Sequence, residues 1–155
     1  MKKEILKFLE ENYTYSHFYK IVQNNDFILK WDETEDHLTL SWIYRISDKY
    51  KGRDIFNSLI EYCKKKNIPR ITAYCVRGND SIIVNNNKKE IYDTGYYTLL
   101  KWGFKPDKGV KFLNKTLKTN YSTIESAIKS PIFWKKWKDK GVDFTGYYEI
   151  KKPTQ

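Results

Sequence analysis

The chain has 155 residues with 40% hydrophobic and 17% aromatic content, enough for one folded core and too short for two. Lys and Arg number 29 against 19 Asp and Glu, a net charge of +10 that favours polyanionic partners and argues against a basic, histone-like substrate. No apolar run nears the roughly 18 residues of a membrane span, and Met1-Lys2-Lys3-Glu4 leads straight into an amphipathic segment with no signal sequence, so a cytoplasmic protein without a membrane partner is expected.

In chain order, Ile5, Leu6, Phe8 and Leu9 form one apolar face of a short helix over residues 3–12. Strands are expected at 18–23, 27–32 and 38–46, parted by the turn-formers Asn24-Asn25-Asp26 and Glu33-Thr34-Glu35-Asp36, as in an antiparallel meander. His17 and His37 lack any metal-ligand spacing and read as surface or turn residues. The third strand leads into a polar turn at 47–52. Ile55, Leu59 and Tyr62 then fall at i, i+4 and i+7, with Phe56, Ile60 and Cys63 widening the stripe of an amphipathic helix. Lys64, Lys65 and Lys66 suit the negative end of its dipole, Asn67 suits a left-handed cap, and Ile68-Pro69 stops it before a strand at 70–76. A strand, short turn and helix in this order present backbone N–H groups at a helix N-terminus, a natural seat for phosphate. Cys63 and Cys75 fall on the helix and the strand and read as buried, reduced thiols.

Residues 77–93 are polar and read as a solvated loop, with Gly78-Asn79-Asp80 as a turn and a brief apolar touch at 82–84. Asp80 and Ser81 are candidates for activating an amine or for a water-linked relay. A helix from Thr94-Gly95 to Trp102-Gly103 follows, then a turn and a strand at 110–113. In the tail, Ser122 is placed to cap a helix over 123–128, with Glu125 at the capping-box position. Ser130-Pro131 starts a second helix over 131–140, which Gly141 closes before a last strand at 144–150. Phe133, Trp134 and Trp137 share one face of that helix and are expected to pack on the sheet. Lys135, Lys136 and Lys138 are left on a solvated basic face open to the phosphates of a nucleic acid, and lysines interleaved with aromatics also suit base stacking. The whole reads as α+β, a mixed and mostly antiparallel sheet flanked by helices, with a C-terminal helix–strand extension.

Two stretches carry a resemblance. Lys51-Gly52-Arg53-Asp54-Ile55-Phe56 lies in the register of an Arg/Gln-x-x-Gly-x-Gly/Ala loop between a strand and a helix, and Tyr97-Thr98-Leu99-Leu100-Lys101-Trp102-Gly103-Phe104 is similar to a late helix ending in Gly-Phe. Together they resemble the GNAT (N-acetyltransferase) superfamily, over a core of about residues 17–115 and an extension of 116–155 within one domain. The resemblance implies acyl transfer from acetyl-CoA or another acyl-CoA-type donor to an amine, which the charge would place on nucleic acid or another polyanion. It implies that the strand around Tyr44 and Ile46 pairs with the donor's pantetheine and that the amides of Lys51, Gly52, Arg53, Asp54, Ile55 and Phe56 hold its phosphates. Asn85 or Asn87 is implied to reach the pantetheine arm, and Tyr97 or Tyr96 to stand near the family's general-acid tyrosine. The chain departs from the family at Asp54 and Phe56, where small residues are usual, and at Leu99, where that tyrosine is usual. These departures imply two alternatives: a GNAT-derived nucleic-acid-binding or inhibitor protein without catalysis, or a DNA-modification enzyme similar to the phage Mom-type acyltransferases. No metal is implied.

Overall fold

The structure, a computed structural model, describes residues 3–11, 14–16 and 19–151. Asn12, His17 and Phe18, to which the sequence assigns a helix end, a surface histidine and a strand start, lie outside the described residues. The fold is α+β, with a mixed and mostly antiparallel sheet flanked by helices. It comprises two compact units, one of Met1–Ala73 with Tyr148–Gln155 and the other of Tyr74–Tyr147.

The first unit opens with α1 (Lys3–Glu11) and continues through β1 (Thr14–Ser16), β2 (Tyr19–Gln23), β3 (Phe27–Glu33) and β4 (Leu38–Arg45) to α2 (Gly52–Lys66) and β5 (Arg70–Cys75). Local side chains set the meander's turns. Asn24 Oδ1 accepts the N–H groups of Asp26 and Phe27, and Thr34 Oγ1 accepts those of Asp36 and His37. The antiparallel β3–β4 register pairs Lys30 with Trp42 and Trp31 with Leu40, so it passes over Ser41 and makes a bulge there. On its other side β4 runs parallel to β5 through three pairs, Leu38↔Ile71 to Leu40↔Ala73. A parallel pair needs a crossover, which α2 supplies. Ile55, Leu59 and Cys63 are fully buried, and Asn67 ends the helix at φ 58° with its N–H turned back to Cys63 and Lys64. Tyr148 and Glu149, the end of β9 (Phe144–Glu149), also belong here: Glu149 pairs with Arg70, and the Ile150 N–H donates to the Pro69 carbonyl.

A polar knot sits inside this unit. Lys20 Nζ donates to Glu33 Oε1 at 2.9 Å and to Tyr62 Oη at 3.2 Å. Tyr62 Oη and Trp31 Nε1 both donate to Glu33 Oε2 at 2.8 Å. Burial opposes the charge on both ionic groups, but these bonds outweigh it, holding the Glu33 carboxyl below its ordinary range and the Lys20 ammonium above its own. Burial and the bond to Glu33 push the Tyr62 phenol up.

The second unit begins with the end of β5 and the antiparallel hairpin β6 (Arg77–Val84) and β7 (Asn87–Thr94). The loop expected over 77–93 is therefore a two-stranded sheet. It escapes detection because Ile82 is the one side chain of β6 that is buried and β7 buries none, so hydrogen bonds hold it without apolar alternation. Next come α3 (Gly95–Lys101), β8 (Lys105–Pro106), α4 (Gly109–Leu117), α5 (Ile124–Ile128) and α6 (Pro131–Lys140), and β8 pairs antiparallel with β9. The strand expected at 110–113 is the first half of α4. Leu113 and Leu117 are buried while Lys111 and Lys115 are exposed, a helical period invisible in a four-residue window. The cap of α5 is Thr123 rather than Ser122, and Ser126 rather than Glu125 completes its capping box. Ser130 caps α6 as expected, and Phe133 and Trp137 are buried. Trp137 stacks on Phe133 and meets Phe112 and Phe144 edge-on.

No described helix is long and apolar enough to cross a membrane, and among the described residues no three His, Cys, Asp or Glu groups are placed to hold a metal ion. Both cysteines are free and buried, which pushes the Cys63 thiol up to about 12 and that of Cys75 higher still.

Candidate functional site

In the first unit, the sequence-predicted loop residues come together where β4 turns into α2. The turn is pinned at three points. Ile46 and Ser47 donate their N–H groups to the Asp26 carbonyl, and Ser47 Oγ donates to Asp26 Oδ1 at 2.6 Å. Tyr50 is buried with its ring edge-on to Phe27, and Arg45 reaches the Tyr50 carbonyl at 3.4 Å. The helix that follows has Lys51 as an extended N-cap and no side-chain cap. The N–H groups of Asp54 and Ile55 both donate to the Lys51 carbonyl. Gly52, Arg53 and Asp54 are half-buried, and Lys51 is exposed. Arg45, Lys49, Lys51 and Arg53 thus stand around the helix start, against Asp48 and Asp54 on the same stretch and Asp26, which faces Lys49 at 4.0 Å.

Three of the residues expected to meet the donor are engaged or buried here. The Ile46 N–H donates to the Asp26 carbonyl at 2.7 Å, and Tyr44, half-buried on β4, stands opposite Ile28. Ile55 and Phe56 have no exposed surface. Phe56 is a core side chain, edge-on to Tyr148 at 5.3 Å with the Arg53 guanidinium 5.6 Å above its ring. Its bulk is thus taken up between Tyr148 and the Arg53 side chain.

The remaining predicted residues lie in the second unit. Tyr96 is buried, and its hydroxyl donates to the Lys138 carbonyl at 2.7 Å, so it ties α3 to α6. Tyr97 is half-buried, edge-on to Trp134 at 5.3 Å with Lys101 Nζ 5.8 Å from its ring. Asp80 is exposed in the middle of β6, and its Oδ1 accepts the Ser81 N–H. Asn85 forms the hairpin tip with Asn86, at φ 51° and 65°, the double left-handed turn that joins two-residue hairpins. Its fixed duty is to the turn. Lys135, Lys136 and Lys138 are exposed on α6.

Sequence reading misses the residue on which this unit turns. Arg77 opens β6 and closes on the C-terminus of α6: its guanidinium donates to the carbonyls of Asp139 at 3.0 Å and Gly141 at 2.7 Å, lies 4.9 Å above the Tyr96 ring and reaches Tyr92 Oη at 3.3 Å. Its backbone N–H donates to Asp143 Oδ1. A helix C-terminus offers unpaired carbonyls, and a guanidinium satisfies two at once. Beside it lies an open cleft of about 530 Å³ lined by Arg77, Asp139, Lys140, Gly141, Val142 and Asp143. Burial, then the nearby Asp80 and Asp143 charges, push the Asp93 carboxyl up despite its bond from the Gly95 N–H. No sequence signal joins Arg77 to a carbonyl 64 positions away. No protein-family model matches this chain, and no curated protein matches it.

Proposed function

We propose that the protein is an acyltransferase-like enzyme of GNAT type, moving an acyl group from an acyl-CoA-type donor to an amine. The observation that carries this reading is the β4–α2 junction. Parallel pairing with β5 ends at Leu40, where the Ser41 bulge begins, and β4 continues to Arg45 before a pinned turn delivers a helix start that has no side-chain cap and is flanked by Lys51 and Arg53. An extended pantetheine lies along such a strand end, and its pyrophosphate sits at the helix start. The amine attacks the thioester carbonyl, a strand N–H stabilises the resulting oxyanion, and the carbon–sulfur bond breaks to release CoA thiolate and the amide. The proton lost by the amine goes to a base we do not assign.

A second reading rests on Asp54. A carboxylate in the first turn suits the helix dipole but repels an anion held there, which favours a protein that keeps the fold and has given up the donor. Calorimetric titration with acetyl-CoA and free CoA at two salt concentrations separates the two. Under the enzyme reading Arg53→Ala weakens binding about tenfold, the value of one charge-assisted phosphate contact, and Asp54→Gly tightens it. Absence of binding heat at millimolar ligand, in both the wild type and Asp54→Gly, removes acyl-CoA chemistry and leaves the second reading.

A further inference from the structure

The positive charge of this chain is not spread evenly. Residues 101–140 hold eleven lysines against three carboxylates, Asp107, Glu125 and Asp139, and so carry eight of the ten net charges. On α4 and at its two caps, Lys108, Lys111, Lys115 and Lys118 are all exposed and recur at i, i+3, i+7 and i+10. That spacing makes one stripe about 15 Å long, the axial length of four to five nucleotides of a duplex strand. α6, whose Trp137 ring meets the Phe112 ring of α4 at 6.1 Å, adds the exposed Lys135 and Lys136. Glu125 is engaged by Lys105 at 3.3 Å, and among the described residues none of these six lysines has a carboxylate within ion-pair distance.

We infer that the lysine-lined outer face of α4 and α6 is a binding surface for the sugar–phosphate backbone of nucleic acid. Trp134, the part-exposed aromatic among the α6 lysines, is already engaged. Trp134 donates its Nε1–H to the Ile128 carbonyl, takes Tyr97 against its ring and carries Lys101 Nζ 4.5 Å above it, so it is used in packing. Recognition is therefore electrostatic and independent of sequence. An anionic membrane fits less well. Among the described residues of these helices, Ile132 is the one large apolar side chain that is well exposed, too little to anchor in lipid. The inference stands apart from the acyl-donor reading, because CoA binding neither supports nor removes it.

The test is fluorescence anisotropy with a labelled 20-base-pair duplex and its single strand at 50, 100 and 200 mM salt. Binding is expected to fall steeply with salt for both and to differ little between unrelated sequences. Lys111→Glu with Lys115→Glu should weaken it at least about tenfold and lower the log–log salt slope by about two. Lys3→Glu with Lys7→Glu, exposed on α1, makes the same change in net charge and should leave affinity within about threefold. Circular dichroism melts establish folding, and Lys135→Gln with Lys136→Gln provides a milder second variant, expected to lose about threefold or more. Equal losses in the α4 and α1 variants overturn the inference, as does absence of binding at 50 mM salt. Binding to phosphatidylserine vesicles without binding to either nucleic acid overturns it in favour of a lipid surface.

Discussion

Glu33 binds three donors from three different elements, and its loss should be felt throughout the first unit. Glu33→Gln keeps the shape but removes the charge that Lys20 faces, and should cost about 2 kcal/mol in denaturant titrations near neutral pH. The carboxyl's folded pKa is held below the unfolded value, so its contribution is fully present above the ordinary glutamate value of 4.5 and is lost as pH falls through the lower, folded pKa. The difference between wild type and Glu33→Gln should therefore shrink as pH drops below 4.5; a constant difference would mean that the charge is not what matters. Gly141 gives a second prediction. A Cβ there would meet the Trp137 carbonyl, and Trp137 Cε2 and Tyr96 Cδ2 at 2.8 Å, so Gly141→Ala should cost about 2 kcal/mol or more in the same titrations. Neither role was legible in the sequence. Gly141 was read correctly as closing its helix, but the close approach of Tyr96 comes from a residue far away in the chain. Glu33 was read as a turn residue because two of its three partners lie 13 and 29 positions off. Within the loop motif Phe56 was read only as a departure from the family's small residue, because the motif fixes its position along the chain but not what its side chain touches.

Elements with strong local signals were legible: α2 with its Asn67 cap, and α6 with Ser130 before Pro131 and Gly141 after Lys140. Both carry an apolar period over two turns or more and a capping residue whose chemistry is local. The β4–turn–α2 arrangement, and hence half of the candidate site, followed from them. The β6–β7 hairpin was not legible, because its evidence is a turn rather than a buried face. That turn makes it testable. With Asn85 and Asn86 both left-handed, Asn86→Gly should stabilise the hairpin by about 0.5 kcal/mol, whereas Asn85→Val should destabilise it by about 1 kcal/mol. Amide hydrogen exchange along residues 77–94 reads both changes, and identical protection in the two variants would remove the turn as the determinant.

Placing eight of ten net charges on forty residues also has a consequence for stability. Lysines that gather on neighbouring helices repel one another, and that repulsion is present whether or not a polyanion is bound. Added salt should therefore raise the thermal midpoint of the wild type as the screening length falls from about 10 Å at 0.1 M to about 3 Å at 1 M. Lys111→Glu with Lys115→Glu relieves the repulsion directly, so this variant should melt higher than wild type at 50 mM salt and respond less to added salt. The same two substitutions are expected to remove most nucleic-acid binding. Opposite signs for stability and binding distinguish a surface kept for its ligand from one whose lysines merely solubilise the helices. If the variant melts lower than wild type at low salt, α4 depends on these lysines for its fold, and a loss of binding would then report unfolding rather than a lost contact.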